Sequence, residues 1–160
     1  MPDKFRPIKD AFGRFATGVA VAACAKQGGG YAAMTVNSFT SVSLSPPLVL
    51  WCIETKAASY PAFMAATGYS VTILRADQRA LSDRFANFAP EPVSPDEVEF
   101  WETGAPILKH RLAAFDCKIF ARHEAGDHVV LVGEVVKFDS SDGAPLVYFA
   151  SNYQTNGDAK

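Results

Sequence analysis

The sequence predicts a mainly β fold, an antiparallel barrel with a few short peripheral helices. About six or seven segments have the apolar or alternating pattern of strands, whereas three short segments have helical spacing. Most strands are joined by short turns, which favours hairpins over the crossovers of a parallel sheet. No G-x-G-x-x-G motif follows a strand, and the glycines at 28–30 lead into a strand. A Rossmann dinucleotide site is therefore not expected.

Length and composition predict a single domain over residues 1–160. Hydrophobic residues make up 49% and charged residues 20% of the 160 positions, as in an ordinary globular protein. The formal net charge of −2 predicts no broad electrostatic attraction to nucleic acid or to an anionic membrane.

Features of the chain also indicate a cytoplasmic protein. No apolar run approaches the roughly 18 residues that a membrane span needs, and the charged N-terminus lacks the apolar core of a signal peptide. The cysteines Cys24, Cys52 and Cys117 are far apart, and each lies in an apolar stretch. We interpret them as reduced, buried thiols, with no disulfide and no metal site expected.

The first third of the chain reads as one helix followed by strands. Residues 7–15 place Ile8, Ala11, Phe12 and Phe15 at helical spacing. Residues 17–25 predict a strand, which a glycine turn connects to a second strand beginning at residue 31. After Pro46 and Pro47, the continuous apolar run at 48–53 predicts a strand covered on both faces.

Two further helices are expected in the middle of the chain. Ser59 is a candidate cap for a helix that ends near Gly68, and a strand follows at 69–74. Asp77 is a candidate cap for a helix with one apolar stripe, formed by Ala80, Leu81, Phe85 and Phe88. Ser94 and Glu97 resemble a capping box of a short helix through Trp101.

The last third of the chain predicts long strands. Residues 112–123 and 128–138 are strand-like and are separated by the turn Glu-Ala-Gly-Asp at 124–127, so we expect a hairpin. One more strand is expected at 145–150. The polar residues 152–160 are predicted to form a flexible tail.

The stretch from residue 34 to residue 45 raises the functional question. It carries many neutral polar side chains and no charge: Thr35, Asn37, Ser38, Thr40, Ser41, Ser43 and Ser45. Alternation predicts that even-numbered residues at both ends of the stretch point inward, with hydroxyls and an amide on the odd face and a bend between. A solvated strand face is one interpretation. The missing charges favour another, a neutral face that hydrogen-bonds a ligand such as a flavin or a sugar phosphate.

The motifs TGVAVAAC, MTVNSFTSVSLSPPLVLWCIE and AGDHVVLVGEVV, in this order and spacing, resemble those of the short-chain flavin reductases. These are the reductase partners of two-component flavin monooxygenases, and the resemblance covers nearly the whole chain. It implies an FMN-binding split β-barrel, a homodimer, and a flavin (FMN or FAD) near the subunit interface. It also implies reduction of that flavin by NADH or NADPH, with the reduced flavin leaving to a separate monooxygenase.

The resemblance also implies flavin contacts residue by residue. The ring and ribityl chain would contact one segment, at Met34, Thr35, Val36, Asn37, Ser38 and, further along, Ser41. Trp51, Cys52 and Ile53 match the strand whose backbone borders the flavin, although their side chains also fit a plain core strand. On the phosphate side the matching positions are Ser59, Arg84, Phe85 and Ala86. Lys56 offers a further positive charge, with a solvated surface lysine as the equal alternative. Arg84 is preferred over Lys56 for charge, because a guanidinium can bind a phosphate with two bonds.

His128 matches the nicotinamide-side histidine of the family and would position or polarise the nicotinamide. Asp127 is expected to shape the turn, and His110 and His123 match nothing. Tyr153 fits the family pattern, but the arginine common after the family's Tyr-Phe is missing here, so the mode of nicotinamide binding and the choice of NADH or NADPH stay open. Two other functions also stay open: a flavoenzyme with tightly bound FMN acting on another small substrate, and a non-enzymatic flavin-binding module.

Overall fold

The computed structural model describes residues 1–88, 90 and 92–154, and it confirms a mainly antiparallel β fold with three short helices. The helices are α1 (Arg6–Phe12), α2 (Tyr60–Ala65) and α3 (Arg79–Ala86), and Pro95–Glu97 forms a 3-10 turn. The strands are β1 (Thr17–Gly18), β2 (Ala20–Ala25), β3 (Tyr31–Val36), β4 (Thr40–Leu44), β5 (Pro47–Glu54), β6 (Gly68–Ile73), β7 (Val98–Phe100), β8 (Pro106–Leu108), β9 (Ala113–Ala125), β10 (His128–Ser140), β11 (Val147–Phe149) and β12 (Asn152–Gln154). The first three residues of the predicted flexible tail form β12 instead, paired with β11, and residues 155–160 lie outside the described residues. No described helix is long and apolar enough to cross a membrane.

Seven strands form one antiparallel sheet in the order β3-β2-β6-β9-β10-β5-β4. In a flat sheet the two edge strands, β3 and β4, would lie about 29 Å apart. Only residues 37–39 connect them, however, and so short a connection spans at most about 14 Å. The sheet must therefore curl until its two edges approach each other at this end. Small sheets of three strands (β1-β11-β12) and two strands (β7-β8) complete the fold.

The interior of the curled sheet is packed around Trp51. Its ring makes edge contacts with Phe63, at 4.8 Å between ring centroids, and with Tyr69, at 5.9 Å. The Tyr69 hydroxyl donates a hydrogen bond of 3.3 Å to the Leu131 carbonyl, and burial raises the pKa of that hydroxyl. Gly133 lies directly against the Tyr69 ring, where a side chain would have no room.

The predicted hairpin near the C-terminus is confirmed and is the longest feature of the sheet. β9 and β10 have 13 residues each and pair over their whole length, with register shifts next to Gly133 and Lys137. The strands extend to Ala125 and His128, so the turn consists of Gly126 and Asp127 alone. Gly126 has a φ of +65°, a value that glycine adopts without strain. β10 also pairs with β5, and β9 with β6.

The inward direction predicted for the far end of the polar stretch is wrong. Val42 is 49% exposed and Leu44 is 93% exposed, although alternation placed both on the inner face. β4 is an edge strand and has a register shift between Ser41 and Ser43, which breaks the alternation between its two halves. The predicted inward direction holds only at the first end of the stretch, where Met34 is half-buried and Val36 is buried.

Two helix predictions also need correction. No helix continues to Trp101: the 3-10 turn ends at Glu97, and the next three residues form β7, paired with β8. α3 begins after Gln78 rather than after Asp77. The buried Gln78 side chain accepts a bond from the Arg75 N–H and donates one to the His110 carbonyl, so Gln78 holds the chain where the helix begins.

The cysteines are free thiols, as predicted, but only two are fully enclosed. Cys24 and Cys117 are buried, and burial raises the pKa of Cys24 to about 11 and that of Cys117 to about 12. Cys52 is half-buried, and burial raises its pKa as well. Raised pKa values favour the protonated thiol at all three positions.

Helix α1 packs few apolar side chains against the rest of the chain. Ile8, Phe12 and Phe15 are 50%, 68% and 80% exposed, and no residue of the helix is buried. The predicted helix is confirmed at Ile8 and Phe12, but it ends at Phe12, so the prediction that it extends to Phe15 is wrong. Within the described residues these apolar side chains face outward.

Candidate functional site

A cavity of about 660 Å³ lies beside β3. Its walls come from three parts of the chain: β3 itself, the segment that leads into α2, and the end of α3 with the loop after it. Most of the lining residues are small or apolar, and six of them are alanines: Ala32, Ala33, Ala57, Ala58, Ala62 and Ala86. These short side chains leave room for a bulky, flat ligand.

A second cavity of about 240 Å³ adjoins the first, because Thr35 and Ala86 line both. Asn37, Tyr148 and Tyr153 complete much of its wall. The two cavities together follow β3 from the β2–β3 hairpin to the polar stretch. The structure thus brings eight predicted site residues to the lining of these two adjoining cavities, which are together called the groove along β3: Met34, Thr35, Val36, Asn37, Phe85, Ala86, Ser59 and Tyr153.

Thr35 is held in this groove by a chain of hydrogen bonds. Its hydroxyl donates a bond of 2.6 Å to the Ser82 carbonyl in α3. The Ser82 hydroxyl is in turn 2.7 Å from the Tyr153 hydroxyl. Because the proton of Thr35 is committed to Ser82, its oxygen can serve a ligand as an acceptor. Ser82 is buried, and its pairing with Tyr153 was not predicted from the sequence.

Ser38 has a structural partner rather than a free hydroxyl. It accepts a bond of 2.9 Å from the Cys52 N–H and donates one of 3.3 Å to the Cys52 carbonyl. This pair joins the start of the polar stretch to β5. The side chains of Trp51 and Ile53 are fully buried in the core, the alternative that the sequence left open, and neither lines the described cavities.

Ser59 faces the larger cavity from the segment that leads into α2. It is the N-cap residue of α2, as predicted, but its side chain makes no capping bond. Its hydroxyl lies instead 3.3 Å from the Met34 sulfur. A thioether is a weak acceptor, so the Ser59 hydroxyl can exchange that contact for a stronger ligand oxygen.

Arg84 does not present a free guanidinium to the cavity. One of its nitrogens lies 2.6 Å from a Glu97 carboxylate oxygen, and the other donates a bond of 2.6 Å to the Pro92 carbonyl. Arg84 therefore ties the loop after α3 to the protein, and that loop provides cavity wall at Phe88, Pro90, Pro92 and Val93. The Glu97 carboxylate also accepts a bond from the Ser94 N–H, at 3.0 Å, which is one half of the predicted capping box.

We expect Glu97→Gln to lower the free energy of unfolding by about 1 kcal/mol at neutral pH, a value discounted because the pair is partly solvated. The hydrogen bond from Arg84 holds the pKa of Glu97 below its ordinary value of 4.5. The ion pair therefore contributes its full stabilisation at pH values above the ordinary pKa of Glu97. This stabilisation is lost as the pH falls through the lower pKa that Glu97 has in the folded protein. Urea unfolding of both proteins at neutral and acidic pH measures this.

Asp96→Asn is the matched control, because Asp96 is an exposed carboxylate of the same 3-10 turn. It should change stability little at either pH. A deficit of Glu97→Gln that stays the same in acid would contradict an ion-pair origin.

His128 lies at the end of the β5–β10 ladder rather than in the described cavity lining. Its Nδ1 is 2.7 Å from the Asp127 carboxylate, and this bond lowers the pKa of Asp127. The Asp127 carbonyl accepts two hydrogen bonds from Thr55, one from the backbone N–H at 2.9 Å and one from the side-chain hydroxyl. Lys56 follows Thr55 and is exposed, and Ala57 and Ala58 then reach the cavity. Lys56 thus immediately precedes the cavity wall in sequence, and His128 is joined to the same segment by its pairing with Glu54.

Ser41 lies apart from this arrangement. It is exposed on the edge strand β4 and pairs with Val49. Conversely, sequence reasoning missed Lys26 and Tyr148, which line the larger and the smaller cavity. Lys26 lies in a segment interpreted only as a turn, and Tyr148 in a segment interpreted only as a strand. No spacing or motif signals either.

A family model described as a flavin reductase like domain matches residues 12–157 of the chain. An FMN reductase (NADH), SmoA, from Agrobacterium fabrum is 42% identical over 143 residues, covering 89% of this chain and 81% of the relative. An NADH-dependent flavin reductase from a Rhodococcus species is 40% identical over 152 residues, covering 92% and 84%. The reductase component of a 4-hydroxyphenylacetate 3-monooxygenase from Thermus thermophilus is 35% identical over 148 residues, covering 92% and 93%.

Solved structures agree with these similarities. The flavin reductase PheA2 in its native state superposes with a TM-score of 0.84 at 38% identity, covering 95% of this chain and 97% of that one. The NADH:FAD oxidoreductase of Streptomyces globisporus, in complex with NAD and FAD fragments, gives a TM-score of 0.86 at 31% identity. That match covers 100% of this chain and 98% of the other.

Proposed function

The chain belongs to the flavin reductase-like domain family, and from this membership we propose that it is an NADH:flavin oxidoreductase. It takes a hydride from the nicotinamide nucleotide, passes it to FMN or FAD, and supplies the reduced flavin to a separate monooxygenase. The observation that carries the proposal is the groove along β3, which joins predicted flavin-contact residues to a cavity of about 660 Å³.

The residues of the groove fit a flavin. The ring system is large, flat and mostly apolar, and the walls offer alanines together with the buried ring of Phe85. Flavin edges carry both hydrogen-bond donors and acceptors. Asn37 supplies both kinds of group, and the Thr35 oxygen is an available acceptor. Holding such a ligand by neutral groups avoids burying an unpaired charge.

When bound, the flavin supplies the redox chemistry by accepting a hydride from the nicotinamide. The protein then has to orient two rings and shield them from water. Asn37 and Thr35 would hold the ring edge, Thr35 in an orientation fixed by Ser82. Phe88 and the prolines of the loop after α3 would cover the groove, in a position fixed by Arg84. No acid–base pair is required of the protein.

The deciding experiment is NADH and NADPH oxidation by the purified protein, with and without added FMN, FAD or riboflavin. We expect oxidation that rises with the concentration of free flavin. A protein that is yellow with bound flavin but oxidises neither nucleotide would contradict the proposal and would favour a non-enzymatic flavin-binding module. A rate of nucleotide oxidation that does not depend on added flavin would favour a flavoenzyme with tightly bound FMN and another substrate.

We expect His128→Ala to raise the KM for NADH about tenfold, because a hydrogen bond to the nicotinamide would be lost. The flavin KM should change little, since His128 does not line the cavity. Steady-state kinetics with each substrate varied in turn measures both values.

His123→Ala is the matched control, because His123 is an exposed histidine of the same hairpin, across from Val130. An equal rise of the NADH KM in both variants would remove His128 from the nicotinamide site.

A homodimer completes the proposal. The exposed apolar stripe of α1 and the exposed Val42 and Leu44 of β4 are apolar surface that a second copy would cover. Sedimentation at several protein concentrations tests this, and a monomer at every concentration would contradict it.

A further inference from the structure

The larger cavity has a single charge in its described lining. Lys26 is the cation, and no Asp or Glu is found among the described lining residues. The remaining side chains are apolar or neutral. Within the described lining, an anionic group of a ligand would therefore meet one positive charge and no opposing negative charge.

Lys26 is carried by an ordered turn at the start of the β2–β3 hairpin. Its N–H donates a bond of 2.9 Å to the Gly30 carbonyl, and its carbonyl accepts one of 3.3 Å from the Gly29 N–H. Gly28, Gly29 and Gly30 all have positive φ values, which glycine adopts freely. The backbone is thus fixed beside the cavity, while the side chain of Lys26 is exposed and free to turn toward a ligand.

The other two cations predicted to bind the phosphate, Arg84 and Lys56, are less available to a ligand in this cavity. The Arg84 guanidinium is occupied by Glu97 and by the Pro92 carbonyl. Lys56 is exposed and does not line either described cavity. Among the described residues, no salt bridge involves Lys26.

We propose that Lys26 binds a phosphate group of the flavin and thereby selects phosphorylated flavins over riboflavin. The neutral hydrogen-bonding groups, Thr35 and Asn37, lie at the other end of the groove, where it continues into the smaller cavity. The flavin would therefore lie along β3, with its ring toward Asn37 and its phosphate toward the β2–β3 hairpin. This inference rests on the proposed function, and it replaces Arg84 as the phosphate-binding cation.

The ligand chemistry is a phosphate ester, which FMN carries as a terminal monoester and FAD as a diphosphate. Riboflavin has the same ring and ribityl chain without phosphate, so it isolates the contribution of Lys26. A charge-assisted contact of this kind changes binding by about tenfold or more. Because Lys26 is exposed, added salt should weaken FMN binding more than riboflavin binding.

The test compares wild type and Lys26→Gln by titrating each protein with FMN, FAD and riboflavin and following flavin fluorescence. We expect the Kd for FMN to rise about tenfold and that for riboflavin to stay within about twofold. A larger loss for FMN than for FAD identifies the terminal phosphate as the partner, and the reverse identifies the diphosphate. Lys26→Arg keeps the charge and should retain most of the preference for phosphorylated flavins.

Lys118→Gln is the matched control, because Lys118 is an exposed lysine of β9 and does not line either described cavity. It should bind all three flavins as wild type does. Equal losses for FMN and riboflavin in Lys26→Gln would overturn the proposal, as would unchanged binding of all three flavins.

Binding is measured without nicotinamide, which separates this inference from the proposed function. Suppose that the wild type binds FMN more tightly than riboflavin but oxidises no NADH. The proposed reductase activity would then be refuted, and the binding data for Lys26→Gln would still decide the role of Lys26. A wild type that turns over normally while Lys26→Gln keeps full preference for FMN would refute only the role of Lys26.

Discussion

Gly133→Ala is expected to lower the free energy of unfolding by about 3 kcal/mol, at the upper end of the range for an overpacked core. A Cβ at this buried position would lie 2.7 Å from the Tyr69 Cζ and 2.8 Å from the Cys117 Cβ, and closer still to the Tyr69 hydroxyl. Neither neighbour can withdraw, because Tyr69 packs against Trp51 and Cys117 is a fully buried residue of β9. Urea unfolding followed by circular dichroism measures the change.

Gly18→Ala is the control for the loss of a glycine. Gly18 also lies in a strand, but nothing lies within 4 Å of a Cβ built there, so its stability should change little. A double variant with Tyr69→Phe removes the nearest atom and should recover part of the loss. If Gly133→Ala and Gly18→Ala had equal stability, the close packing around Tyr69 would be refuted.

Ala58→Phe is expected to reduce flavin-dependent NADH oxidation about 100-fold, because a large ring would occupy the space that the alanine leaves. Ala58 lines the larger cavity and is exposed, so the new side chain can enter the cavity without disturbing the core. The free energy of unfolding should therefore stay close to that of wild type. Steady-state oxidation at increasing flavin concentration, together with thermal unfolding, separates the two effects.

Ala65→Phe is the matched control for this variant. Ala65 is an exposed alanine at the end of α2, the helix that follows Ala58, and it does not line the cavity. It should keep full activity. Wild-type activity in Ala58→Phe would mean that the flavin does not use this cavity.

Much of the fold follows from local pattern. The β9–β10 hairpin was predictable because two long strand-like segments are separated by a turn containing glycine, and the structure has that hairpin with the turn at Gly126 and Asp127. α3 was predictable from its apolar stripe, of which Phe85 is buried. Its first residue was not, because a tertiary contact of Gln78 with the His110 carbonyl fixes where the helix begins.

The predictions that failed or changed depend on contacts between distant residues. The direction of Val42 and Leu44 depends on a bulge in an edge strand, which alternation in the sequence does not reveal. The sequence favoured Arg84 as a phosphate ligand because of its residue type, but its pairing with Glu97 decides what it can bind. Lys26 lies in a turn, and only the tertiary fold brings it into the lining of the larger cavity. The roles of all these residues toward flavin stay predictions.

The order of strands in the sheet also has a consequence for folding kinetics. β9 and β10 can pair as soon as a two-residue turn closes, whereas β5 joins β10 by pairing residues 48–54 with 128–134. Bringing β5 and β10 together closes the long loop between them, and this lowers the chain entropy before the two strands form any stabilising contact. Domains dominated by such non-local pairings fold in milliseconds to seconds. We therefore expect the β9–β10 hairpin to pair before β5 joins it.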